Sequence, residues 1–180
     1  VALLYIALYP RASALTTALQ FGALVVLLAM SGAHGLALVP ALSLWLLVLA
    51  IWGDRPEAHE TRRNRFLIVG VWALCIGMIA AYMVGYEKVP HHPTSSGIST
   101  TLVTAVQFLT MSWGPAVKNV WPASGWLMGV LTCGTLILAI FASARSSDKV
   151  RALGFLCFVG AMVSLGLAIG LGRNGFEPRY

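Results

Sequence analysis

The chain has 180 residues, of which 58% are hydrophobic and 10% charged, and its mean hydropathy is +0.82. Soluble domains carry about 25% charged residues, so this chain cannot coat its own surface in water, and lipid is the solvent that fits it. The net charge of +6 comes from 12 basic and 6 acidic residues, but the basic ones sit in short stretches between apolar runs. No basic face and no aromatic stacking platform is present, which excludes nucleic acid as a partner.

The first apolar run, 1–9, is too short to cross a ~30 Å hydrocarbon core at about 1.5 Å per residue. It opens on Val1 with no basic leader, so it reads as the end of a spanning helix and not as a signal peptide. The second run, 14–30, and the third, 36–52, form an antiparallel hairpin across the short break 31–35. Pro40 falls near the start of the third run, where proline is well tolerated.

The stretch 53–65 is the most polar in the chain. It carries Arg55, Arg62, Arg63 and Arg65, the mark of a cytoplasmic loop. The fourth run, 66–85, has the ~20 residues a span needs. The loop 86–100 follows, reading YEKVPHHPTSSGIST.

The run 102–113 is short. Thr100, Thr104 and Gln107 share one helical face, while Leu102, Val106, Leu109 and Trp113 share the other. That pattern predicts an amphipathic helix at the membrane interface, with Pro115, Trp121, Pro122 and Trp126 at headgroup level. The sixth run, 124–144, ends at a second basic loop, 145–151. The last, 152–172, is followed by RNGFEPRY.

The expectation is therefore an all-α, polytopic transmembrane bundle forming one domain over 1–180, an internal piece of a longer protein. It has about five full spans, a partial N-terminal span and an interfacial helix. If 102–113 does not span, Arg11, Arg55, Arg62, Arg63, Arg65, Arg145, Lys149 and Arg151 lie inside, and Lys88, Lys118, Arg173 and Arg179 outside.

Helix association in lipid relies on small residues that let backbones approach. Four stripes offer themselves: Ala14, Ala18 and Gly22; Ala73, Gly77, Ala81 and Gly85; Gly125 and Gly129; Gly160, Ser164, Ala168 and Gly172. The apolar runs contain no ionisable residue, which argues against an ion-coupled transporter or a voltage sensor. Cys75, Cys133 and Cys157 lie within apolar runs and read as small hydrophobes.

Candidate chemistry lies in two outer loops. Lys88, His91 and His92, framed by Pro90 and Pro93, suit an anionic headgroup. Neighbouring side chains in extended chain point to opposite faces, and zinc needs three or four ligands, so no metal is expected. No cofactor-binding fingerprint or hydrolase motif occurs. Arg173 and Arg179 stand just past a span end, where guanidinium groups bind phosphate well, or anchor the interface together with Phe176 and Tyr180.

The loops GYEKVPHHP and GRNGFEPRY resemble those of bacterial polytopic membrane proteins similar to GT-C type glycosyltransferases. The resemblance implies a lipid-linked substrate, an outer-face site and a bacterial inner membrane. Pro178, Arg179 and Tyr180 would begin a helix after an outer loop, with Arg179 on a lipid phosphate. Such enzymes keep their catalytic acids in the first outer loop. The loop SGAHG has no carboxylate, so the resemblance implies that those acids lie outside this chain. The alternatives are a transporter or flippase piece and a non-catalytic membrane scaffold.

Overall fold

The computed structural model describes residues 1–10, 13–53, 58–85 and 97–172, with side chains from 62 onward in the third stretch. Among the described residues every regular element is helical. These are α1 (Ala2–Leu8), α2 (Ala14–Met30), α3 (Ala33–Trp52), α4 (Ala58–Met83), α5 (Ile98–Thr110), α6 (Ala123–Arg145) and α7 (Lys149–Gly172). Two 3-10 turns, Met111–Trp113 and Pro115–Val120, join α5 to α6.

Four helices are long and apolar enough to cross a membrane: α3, α4 from Arg62 onward, α6 and α7. The 17-residue α2 is apolar but shorter.

The bundle is organised around Trp45 on α3, which is 0% exposed. Its ring meets Phe21 of α2 with centroids 4.6 Å apart and planes at 57°, a tilted aromatic pair of the favoured kind. Its Nε1 donates to the Val150 carbonyl in the first turn of α7 at 2.9 Å. Gly154 permits this approach: a Cβ there would stand 2.8 Å from the indole nitrogen and 3.1 Å from the Ala7 Cβ of α1. One side chain thus ties α2, α3 and α7 together beside α1.

The same contacts set direction. Trp45 faces the start of α7, while Ala41 faces Gly160 further along it, so α3 and α7 run antiparallel. With the α2–α3 and α3–α4 connections, one end of the bundle collects Ser31, the C-termini of α4 and α7, and the N-termini of α3 and α6. The opposite end collects Ser13, Gly53 and the α6–α7 connection. At that opposite end Lys149 Nζ donates to the carbonyls of Ser143 at 2.8 Å and Ala144 at 2.9 Å, satisfying the last turn of α6. Asp148 caps α7 through the Arg151 amide at 3.2 Å and pairs with the Arg151 guanidinium at 3.1 Å. Ser143 Oγ reaches the Ala139 carbonyl at 2.7 Å and lies 3.1 Å from the Ala152 carbonyl, closing the hairpin.

Several boundaries differ from the sequence reading. The break between α2 and α3 contracts to Ser31 and Gly32, so His34 sits in the first turn of α3 and not in a loop. Pro40 then lies in the interior of α3, where it removes a backbone donor. Most of the stretch read as a polar loop over 53–65 is the start of α4, which begins at Ala58. Glu and Arg are good helix formers, and about 39 Å of helix (26 residues at 1.5 Å each) exceeds a ~30 Å core, leaving that end free to project.

The small-residue stripes divide in their outcome. Ala14 and Ala18 are buried, and Gly22 abuts Val71 of α4. Ala73, Gly77 and Ala81 on α4, with Gly85 just past its end, are all exposed. On α7 the close crossing uses Gly166 and Gly170 and not the 160, 164, 168 and 172 register. A Cβ on Gly170 would strike the Thr101 carbonyl of α5, and one on Gly166 would lie 3.3 Å from Leu109 and 3.5 Å from the Ala105 carbonyl. Gly125 instead receives the Trp121 ring.

Two tryptophans separate hydrogen bonding from bulk. Trp72 Nε1 on α4 is buried without a partner among the described residues. Trp45→Phe should therefore cost about 1 kcal/mol for a lost hydrogen bond, Trp45→Ala roughly 3–5 kcal/mol, and Trp72→Phe within about 0.5 kcal/mol of zero. Denaturant titration in detergent micelles reads all three.

Candidate functional site

The segment 98–122 is the irregular part of the bundle. It leaves from the end of α7, because Thr101 packs on Gly170, and it returns to the same end, because α6 starts there and runs back along α7. The buried face of α5 is Thr101, Ala105 and Thr110, while Leu102 and Val103 point outward at 49% and 48% exposure. Small and hydroxyl side chains are what a close crossing on two glycines requires.

The end of α5 is closed by its own side chains. Thr110 Oγ1 donates to the Gln107 carbonyl and Ser112 Oγ to the Leu109 carbonyl, both at 2.7 Å. These satisfy acceptors that a helix terminus leaves open. Gly114 then adopts φ 101°, a conformation that favours glycine, and the chain turns sharply into the second 3-10 turn. Ser124 Oγ donates to the Val117 carbonyl at 3.3 Å and fastens that turn to the first turn of α6.

The reversal encloses a pocket of about 400 Å³. Gln107, Thr110 and Lys118 supply polar groups, and Met111, Pro115 and Trp121 supply apolar walls. Among the described residues Lys118 is the one charged lining residue, and it is exposed to solvent. The Gln107 side-chain amide makes no hydrogen bond among the described residues.

Met111 also lines a second, larger groove of about 750 Å³ between α5, α6 and α7. Its walls are apolar and rich in flexible or aromatic groups: Met128 from α6, and Phe155, Phe158 and Met162 from α7. Met111 is common to the walls of the polar pocket and the apolar groove, which adjoin there.

Lys88, His91 and His92 fall in 86–96, and Arg173 and Arg179 in 173–180, all outside the described residues. The positions that flank them share one end of the bundle: α5 begins on the end of α7, and α4 ends on the side of the bundle where α2 and α3 pack. Among the described residues no group of three His, Cys, Asp or Glu side chains is placed to hold a metal.

The residues that sequence reasoning missed are Gln107, Thr110 and Lys118. Lys118 carried weight there only as a topological charge. The paired prolines and tryptophans of 113–122 marked the turn, but nothing in their spacing marked an enclosed pocket.

The chain matches no protein-family model, and no match was found among curated proteins or solved structures. The site's chemistry therefore rests on its geometry.

The crossing of α6 has a direct readout. Cysteines placed singly at Asn119 and at Ser146, at opposite ends of the bundle, should label from opposite sides of a sealed vesicle with an impermeant maleimide. Labelling of both from the same side would contradict the antiparallel path of α6.

Proposed function

We propose that this chain is the membrane portion of an enzyme that acts on a lipid-linked substrate at the outer face of a bacterial inner membrane, in the manner of a glycosyltransferase. The observation that carries the reading is the division of chemistry between the two ends of the bundle. One end holds Arg62, Arg63, Arg65, Arg145, Lys149 and Arg151, the positive charge of a cytoplasmic face. The other gathers the polar pocket of Lys118 and the exits to both candidate loops.

In this reading 98–122 does not span. It enters and leaves on the outer side, with α5 against the bundle and its apolar edge toward lipid. Irregular backbone at membrane depth is tolerated where protein covers it or a cavity lies beside it, and the 400 Å³ pocket is such a cavity. With α2 counted among the spans, the bundle has about five full crossings, α2 standing at the short end of the ~17–25 residue range. Arg173 and Arg179 would hold a lipid phosphate, with Lys88, His91 and His92 closing over it from the neighbouring loop.

A second reading is favoured by one observation. The exposed stripe of Ala73, Gly77 and Ala81 on α4, with Gly85 just past its end, suits a close helix partner, which a scaffold or assembly subunit would need. A transporter would place paired broken helices at the midplane. Among the described residues the chain breaks once in this way, after α5, with no inverted twin.

Transfer from a lipid-linked donor by the full-length protein is the test. Arg179→Ala and Lys88→Ala should each lower it about tenfold or more. A charge-assisted hydrogen bond contributes roughly 1.5–3 kcal/mol, and about 1.4 kcal/mol is a factor of ten. Unchanged transfer in both variants would remove the enzyme reading and leave the scaffold.

A further inference from the structure

We propose that the adjoining pocket and groove at Met111 hold one anionic lipid from the bilayer, with its phosphate at Lys118 and one hydrocarbon chain between α6 and α7. The site requires no transfer activity. It would be occupied in a scaffold as much as in an enzyme.

The dimensions point to a lipid chain. The groove runs along α7 from Leu165, near the pocket end, down to Phe155. That is about 15 Å at 1.5 Å per residue, the depth of one leaflet of a ~30 Å hydrocarbon core. The stretch is centred on α7, so a chain lying there would enter below the Lys118 rim and cross the middle of the bilayer.

Polarity follows the same axis. Among the described residues the one charged lining residue, Lys118, stands at the rim, and the Gln107 amide is free beside it. Below them the walls are Met128, Phe155, Phe158 and Met162. A cation above an apolar slot complements an amphiphile with an anionic head. The slot also needs filling. In lipid no hydrophobic force closes α6 onto α7, because the tails are as apolar as the side chains. An unfilled slot forfeits dispersion contacts on both walls. Methionine side chains adapt to an irregular chain, and α6, most of whose surface is uncovered, leaves the slot open to the bilayer.

The experiment uses the full protein in nanodiscs of phosphatidylcholine with a minor fraction of phosphatidylglycerol, followed by gentle re-extraction and lipid analysis by mass spectrometry. Wild type should retain phosphatidylglycerol in preference to phosphatidylcholine. Lys118→Gln should reduce that preference about fivefold, the fold-change equivalent to the ~1 kcal/mol a basic residue contributes at an anionic surface. Lys118→Arg should keep it. Thr132→Trp, which fills the groove from α6, should reduce retention of both lipids while leaving the elution profile unchanged.

Four results would overturn the proposal. Lys118→Gln with unaltered preference removes the headgroup site. Thr132→Trp with unaltered retention removes the chain site. Competition by inorganic phosphate in place of lipid makes the pocket a free-anion site. Should single cysteines at Thr132 instead cross-link between two copies, a helix and not a lipid fills the slot. Since no arm reads transfer, loss of the enzyme reading and loss of this site are separate outcomes.

Discussion

The hydrogen bond from Trp45 to the Val150 carbonyl is the contact on which the arrangement of the bundle depends. Lipid offers helices no hydrophobic reason to associate, so direction and register must come from packing and from the few polar groups present. An indole N–H in a hydrocarbon setting strongly prefers an acceptor. At Trp45 it finds one 2.9 Å away on the neighbouring helix. The bond is possible only because Gly154 presents no Cβ to the ring and Phe21 supports its other side. It fixes α7 antiparallel to α3, and with that it decides which end of the molecule carries the α6–α7 hairpin and which carries the termini of α4 and α7.

Once α7 is placed, its far half becomes the platform for α5. Gly166 and Gly170 lie one helical turn apart and let the backbone of α5 come within contact of α7. Thr101 meets Gly170, while Ala105 and the side chain of Leu109 meet Gly166, a step of four residues on each backbone that lets α5 follow α7 closely. Beyond Thr110 the helix ends, and Gly114 turns the chain back to the start of α6. The polar pocket is the space left inside that return.

The all-helical, membrane-like character was legible in composition and in run length, because both depend on residue type alone. The apolar runs over 14–30, 124–144 and 152–172 correspond closely to α2, α6 and α7. Helix starts were less legible. The arginines of 62–65 read as a loop by charge, yet they continue α4 because a helix needs apolar side chains only across the depth of the core. The pattern on α5 set Thr100, Thr104 and Gln107 against Leu102, Val106, Leu109 and Trp113, but the buried residues Thr101, Ala105 and Thr110 belong to neither set, since in lipid a small or hydroxyl face can be the packed one.

The glycine registers show where one-dimensional reading stops. Both 160–172 and 166–170 on α7 carry small residues at every fourth position, and periodicity alone cannot rank them. The ranking comes from Trp45, which orients α7 by claiming Val150 and Gly154. Gly166 and Gly170 are then left facing the site where α5 arrives. The same dependence explains the groove. Its methionines at 111, 128 and 162 stand on three separate elements, so no spacing in the sequence could associate them. Trp45 thus occupies the early part of α7 while the paired glycines further along it receive α5, and the polar rim and the apolar slot adjoin at Met111, where the chain turns back toward α6.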